Sequence, residues 1–120
     1  MMFDYQIDPK KIEQESFRQI RLETDLDVFD REQQQVVMRI VHSIGLPDVA
    51  QQVRFSSLAC QQGMAALEKN TAILCDVEMV KQGITKRLIQ QEPLCYLNKP
   101  SAIHAAKANG ETRSMAAVNY

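Results

Sequence analysis

Apolar positions recur at helical spacing in one stretch above all. Val36, Val37, Ile40, Val41 and Ile44 follow the three-and-four-residue rhythm of an amphipathic helix. The pattern predicts a helix from Asp30 to Ser43, with Gly45 as its C-terminal cap and Pro47 blocking continuation. An earlier helix is expected from Pro9 to about Leu22. Asp8 is its N-cap, Pro9 its first residue, and Ile12, Phe17 and Ile20 part of its packing face. Thr24 to Asp27 reads as a polar joint between the two.

Beyond Pro47 the rhythm changes. Pro47 to Gln52 suits a short helical turn and Val53-Arg54-Phe55 a short strand. Ser56 or Ser57 then caps a third helix ending near Asn70. Thr71 to Cys75 is apolar without alternation, as in a strand buried on both faces of a parallel sheet. A short helix from Val77 to Gln82 is closed by Gly83, and Leu94 to Leu97 is the next strand candidate. Lys99-Pro100-Ser101 opens an alanine-rich helix, Ala102 to Ala108, which stops at Asn109-Gly110. A last helix begins at Glu111 or Thr112 and runs to the chain end. Strands separated by helices indicate an α/β fold, a parallel sheet flanked by helices. Two good strands and one weak one make a small sheet for this class. The chain thus reads as a single domain, residues 1–120, and as an incomplete portion of a larger three-layer domain, truncated at its C-terminus.

Composition narrows the function classes. Fourteen basic residues face fifteen acidic ones, a near-neutral balance with no overall pull toward nucleic acid or an anionic membrane. No stretch has the apolar length to span a bilayer. Met1 to Lys10 lacks the basic-then-apolar order of a signal peptide, so the expected location is cytoplasmic. Cys60, Cys75 and Cys95 are too far apart for a paired metal motif, and Cys75 and Cys95 sit in apolar runs that favour buried thiols. No nucleotide loop, zinc motif or nucleophile elbow occurs. The residues imply neither metal nor cofactor.

His42 is the most informative residue. With about 100° of rotation per residue, it falls nearly opposite the apolar stripe of its helix, in line with Met38, Gln35 and Arg31. It occupies the last turn, where the helix end favours a positive charge. Histidine as a residue type exchanges protons near neutrality, which makes His42 a candidate acid or base. The plainer reading is a surface histidine that ends a helix. His104 lies in the first half of its helix and suits a half-exposed structural role. Asp76, directly after a buried-type strand, stands where parallel folds gather ligands, but aspartate is equally a favoured cap for the helix that follows. Arg18 and Arg21 neighbour each other on the first helix, with Ser16 on a different side from Arg18. Arg54, Lys86, Arg87 and Arg113 are scattered, and Arg113 is flanked by Thr112 and Ser114. Arginine forks match carboxylates, although a solvated charge is the commoner fate of each.

Taken together, several segments carry a resemblance. Glu15-Ser16-Phe17-Arg18-Gln19-Ile20-Arg21, the run Val37 to Gly45 around His42, Phe55-Ser56 with Gly63, Ile73 to Val80 with Gly83-Ile84, and Thr112-Arg113-Ser114 occur in order along nearly the whole chain. They resemble the precorrin-8X methylmutase (precorrin isomerase) family. The resemblance implies an isomerase that moves a methyl group from ring position eleven to twelve of precorrin-8X, or of its cobalt counterpart, giving hydrogenobyrinic or cobyrinic acid. It implies no organic cofactor, a tetrapyrrole-derived polycarboxylate as substrate, and a homodimer with the site near the subunit interface. The family's proton-transferring histidine matches His42 and a substrate contact falls on Ser16; Arg18, Asp76, Thr112 and Arg113 are placed near the substrate. Such a site is expected to have apolar walls rimmed by arginines and hydroxyls. Family members are longer than this chain, so a separate C-terminal portion is a further expected partner. The alternative is a non-catalytic fragment or descendant that binds a tetrapyrrole acid or a partner protein.

Overall fold

The computed structural model describes residues 4–120. The chain divides into two units, Met1–Gln62 and Gly63–Tyr120, with the boundary inside a helix.

The first unit is helical. Helix α1 (Pro9–Glu23) starts where Asp8 accepts the backbone N–H groups of Lys10 and Lys11, and Pro9 supplies a preset first turn. Helix α2 (Arg31–Ile44) opens with a reciprocal cap. The Asp30 side chain takes the Gln33 N–H, and the Gln33 amide oxygen takes the Asp30 N–H. It ends at Gly45, whose N–H still bonds to the Val41 carbonyl and whose left-handed φ of 77° turns the chain out of the helix. A 3₁₀ turn, Pro47–Gln52, follows and packs back on α2.

The core of this unit comprises Ile20, Leu26, Val37, Met38, Val41 and Ala50, with Phe17, Phe29, Val49, Val53 and Phe55 packed around it. Burying each larger aliphatic side chain is worth about 1.5–3 kcal/mol, so Val37, Met38 and Val41 anchor α2. The Gln34 amide donates to the carbonyls of Leu26 and Phe29, tying the joint between the helices to α2. Phe29 and Phe55 meet edge to face.

Two expectations change here. Met38 was expected on the side of α2 away from the core, but is only 1% exposed, whereas Val36 and Ile44 are 41% and 51% exposed. The helix is apolar over a wider arc than its neighbours cover. The sector that meets α1 and the 3₁₀ turn is centred on residues 37, 38 and 41. Val53-Arg54-Phe55 is not a strand. Val53 closes the 3₁₀ turn with its N–H on the Ala50 carbonyl, and Arg54 donates to the carbonyls of Gln51 and Val53. Val53 and Phe55 point apolar side chains at the core as a strand would, but no ladder partner adjoins them among the described residues.

Helix α3 (Ala59–Glu68) carries the unit boundary. It starts after a turn in which Leu58 takes a left-handed backbone, rather than directly from a serine cap, and Asn70 takes the same conformation just past its end.

The second unit holds the sheet. Strands β1 (Leu74–Cys75) and β2 (Leu94–Cys95) pair in parallel, Leu74 opposite Leu94 and Cys75 opposite Cys95. The chain is therefore α/β, with a small parallel sheet among helices. The ladder is shorter than the apolar run Thr71 to Cys75 predicts, because the Thr71 N–H and carbonyl bond instead to the Ala66 carbonyl and the Gln91 amide. Leu74 is 59% exposed while Cys75 is buried, so β1 is covered on one face, not both. Helix α4 (Glu78–Gly83) packs on both strands.

Helices α5 (Pro100–Asn109) and α6 (Arg113–Val118) pack together, with Ala102, Ala106, Ala116 and Ala117 buried. Small side chains at these positions let helices approach closely. Gly110, at φ 66°, caps α5, and the Thr112 hydroxyl caps α6 by accepting the Met115 N–H. Lys99 places its ammonium 4.8 Å from the Tyr96 ring centre and 5.3 Å from that of Tyr120.

Candidate functional site

The site begins with the crossing of α1 and α2. Ser16 is in the second turn of α1 and His42 in the last turn of α2. Ser16 Oγ lies 2.7 Å from His42 Nδ1. Ser16 is half-buried and His42 exposed. His42 is thus off the core, as its helical position predicts, but it is not opposite the buried sector. It follows buried Met38 by one turn and stands at the core margin, against α1.

The imidazole has a second neighbour. The Phe17 ring and the imidazole form a T-shaped pair, with centroids 5.5 Å apart and planes at 69°. The Arg39 guanidinium lies 4.7 Å from the Phe17 ring centre and donates to Glu13 at 2.5 Å.

Beside this cluster is a cavity of about 330 Å³, lined by Glu15, Ser16, Gln19, Ile20, Glu23, Val41, His42, Gly45 and Pro47. Ile20, Val41 and Pro47 give it apolar walls. Its polar lining is Ser16, His42, two carboxylates and an amide, and Gln19 donates to Glu23. No lysine or arginine lines it. The expected rim of arginines around the histidine is therefore not supplied by this cavity within the first unit.

Arg18 explains part of that difference. Its guanidinium forks onto Glu15, Nε to Oε2 at 2.9 Å and Nη2 to Oε1 at 2.6 Å. The hydrogen bond from Arg18 holds the Glu15 carboxyl below its ordinary pKa, and Glu15 in turn raises that of Arg18. Arg18 turns toward a different concavity, of about 590 Å³, which it shares with Gln6, Lys11, Ile12, Gln14 and Glu15. Glu15 borders both spaces.

The remaining sequence candidates belong to the second unit. Asp76 is exposed after β1 and does not cap α4, whose N-cap is Val77 with no side-chain bond. Of its two sequence readings, the helix-capping one is removed. Thr112 is the α6 cap and Arg113 the exposed first residue of that helix. His104 is exposed on α5. Cys75 is buried and Cys60 and Cys95 are half-buried, all as free thiols. Among the described residues no group of three or more metal-ligating side chains gathers, and no helix is long and apolar enough to cross a membrane.

Sequence reasoning passed over Glu13, Arg39 and Glu23 at this site. Their signal was present in the spacing. Glu13 and Phe17 are four apart on α1, and Arg39 and His42 three apart on α2, so each pair shares a helix face.

Comparison with known proteins gives the arrangement a family. The family model described as precorrin-8X methylmutase matches residues 11–120. The chain belongs to the precorrin-8X methylmutase family. The precorrin-8X methylmutase of Pseudomonas aeruginosa is 35% identical over 121 residues, covering 99% of this chain and 58% of that protein. A cobalt-precorrin-8 methylmutase of Salmonella typhimurium is 36% identical over 87 residues, 70% of this chain and 41% of its own length. Among solved structures, a precorrin-8X methylmutase related protein superposes with a TM-score of 0.76 at 30% identity, over 86% of this chain and 55% of that one. The chain thus spans about half the length of the curated relatives it matches.

Proposed function

We propose that the chain serves the isomerisation of precorrin-8X, or of its cobalt-containing counterpart, in cobalamin biosynthesis, with His42 as proton donor and acceptor. One observation carries the reading. In a chain of this family, a histidine outside the core stands at the lip of a cavity, with one ring nitrogen held by Ser16.

The chemistry follows from the ring system of the substrate. The bond from the methyl group to ring carbon eleven breaks and a bond to carbon twelve forms within one molecule. No methyl acceptor and no redox partner is required. Protonation by His42 makes the conjugated macrocycle electron-poor, and the proton returns to the imidazole once the methyl has moved. A cavity of about 330 Å³ is at the low end of the roughly 300–1,000 Å³ of small-molecule sites, so it takes one edge of the macrocycle rather than all of it. Ser16 and Arg18 in the first unit, and Asp76, Thr112 and Arg113 in the second, are proposed as substrate contacts because they match the family's segments. A homodimer and a cytoplasmic location belong to the same proposal.

A second reading has its own support. The histidine cavity carries Glu15 and Glu23 and no cation, so it offers no partner to a substrate carboxylate beside the proposed proton-transfer group. On this reading the chain binds a tetrapyrrole acid away from that cavity, or a partner protein, without converting a substrate.

One experiment separates the two. Purified chain is incubated with precorrin-8X and the visible spectrum followed, with binding of hydrogenobyrinic acid titrated in parallel. Conversion that disappears in His42→Ala supports the isomerase. Binding without conversion supports the second reading in its tetrapyrrole form, and neither binding nor conversion removes the isomerase and that form, leaving only the partner-protein form.

A further inference from the structure

His42 stands in a chain of contacts that alternates between α1 and α2. Glu13 on α1 pairs with Arg39 on α2 at 2.5 Å. Arg39 covers the face of Phe17 on α1, 4.7 Å from its centre. The Phe17 and His42 rings meet in a T-shaped pair with centroids 5.5 Å apart, and His42 Nδ1 ends the chain on Ser16 Oγ of α1 at 2.7 Å. Each step changes helix. We propose that Phe17, Arg39 and Glu13 are positioning residues for His42: they fix the plane of the imidazole, while Ser16 fixes which nitrogen is free. This rests on the reading of His42 as the proton-transferring group.

The need for such a device is physical. An exposed histidine near a helix end rotates freely about two bonds, and exposed side chains change rotamer within nanoseconds. A single hydrogen bond leaves the ring free to tilt about it. The T-shaped contact with Phe17 removes that freedom, because an aromatic pair favours edge-to-face orientation and the planes here stand at 69°. Phe17 is itself half-buried and would pivot were its face open. Arg39 closes that face by cation–π attraction, and Glu13 holds the guanidinium in place. Arg39 thus acts on His42 without touching it.

Ser16 is suited to its part for a different reason. A hydroxyl oxygen can accept from Nδ1–H in either protonation state of the ring. When the imidazole is neutral, Nδ1–H donates to the Ser16 oxygen and the lone pair stands on Nε2. When the imidazole is charged, Nδ1–H still donates to the Ser16 oxygen and Nε2 carries the added proton. The bond survives both states, which a group that gives and takes back a proton requires. A carboxylate there would favour only the charged state. Nε2 is left as the exchanging atom.

The test uses the full chain with ¹⁵N-labelled histidine, observed by two-bond proton–nitrogen correlation at a pH where the ring is neutral. The expected result is a single dominant tautomer with the proton on Nδ1, and His42 ring protons displaced by the Phe17 ring current. Ser16→Ala should mix the tautomers. Phe17→Leu should abolish the ring-current displacement, and Phe17→Tyr should restore it. Arg39→Met and Glu13→Gln should each move the His42 ring signals although neither residue touches the imidazole. His104, in the second unit, supplies an internal control whose signals stay in place. Unchanged His42 signals in both Arg39→Met and Glu13→Gln would overturn the positioning role. The measurement needs no turnover, so its failure is distinct from failure of the conversion assay, which bears on the methylmutase reading instead.

Discussion

Ser16 Oγ and His42 Nδ1 stand 2.7 Å apart across two helices, although the residues are 26 positions apart in the chain. Three caps and a small apolar core produce that proximity. Asp8 and the Asp30–Gln33 box set where α1 and α2 begin, Gly45 sets where α2 ends, and Ile20, Met38 and Val41 fix how they cross. Every residue that builds the pair belongs to the first unit.

His42 is exposed, so its removal should spare the fold and strike the chemistry. His42→Ala is expected to unfold at nearly the same denaturant concentration as the parent. Its conversion of precorrin-8X should fall by about 10²–10⁴-fold, the usual contribution of a positioned acid or base. Rate and unfolding midpoint are measured on the same preparation. A variant within twofold of the parent rate would remove His42 from the reaction.

The inner face of α2 can be tested by contrasting two neighbours. Met38 is 1% exposed and lies in the core, so Met38→Ala should cost about 2–5 kcal/mol by loss of apolar burial and creation of a cavity. Val36→Ala, at a position 41% exposed, should cost under about 1 kcal/mol, since a partly exposed valine has less apolar burial to lose. Urea titration of both variants decides which apolar row is internal. Equal losses would show that the row of Val36, Ile40 and Ile44 is also covered.

That contrast also shows where the sequence was legible. Punctuation was readable because single residues carry it. Asp8, Gly45, Gly110 and Thr112 all stand at the helix ends their chemistry favours. The phase of α2 was not readable. Its apolar positions cover more than one face, and only the packing of α1 and the 3₁₀ turn selects residues 37, 38 and 41. Strand lengths failed for a related reason. Thr71 has the right neighbours for a ladder but bonds to Ala66 and Gln91. At the site, His42 stood out by its place on α2, whereas Ser16 came only from the family resemblance and as a substrate contact, and Arg39 was hidden because its contact with the cluster passes through Phe17.

Thr24 offers a substitution expected to stabilise. It is the C-cap residue of α1 and is buried, and its hydroxyl has no hydrogen-bond partner among the described residues. An unpaired buried hydroxyl carries a desolvation cost of about 1–3 kcal/mol. Valine has nearly the same shape and suits the extended backbone here, φ −123° and ψ 129°. Thr24→Val should raise stability by about 1 kcal/mol, read as a higher urea midpoint at unchanged slope. A loss of stability would show that the hydroxyl has a partner, such as an internal water.

The Glu15–Arg18 fork predicts a pH dependence with a definite sign. Hydrogen bonding to Arg18 lowers the Glu15 pKa in the folded chain below its unfolded value. The stabilisation is then fully present above the unfolded carboxylate pKa and is lost as pH falls through the lower folded value. Glu15→Gln removes it, so the stability gap between parent and variant should be largest near neutrality and close in acid. Both partners are exposed, with side chains 59% and 64% accessible, so the gap is small and shrinks further in high salt. Urea titrations across the acid range at low and high ionic strength read both effects. A gap that widens as the pH drops would mean that Glu15 is held in its protonated form, and Arg18 would then be free to turn toward an anionic ligand.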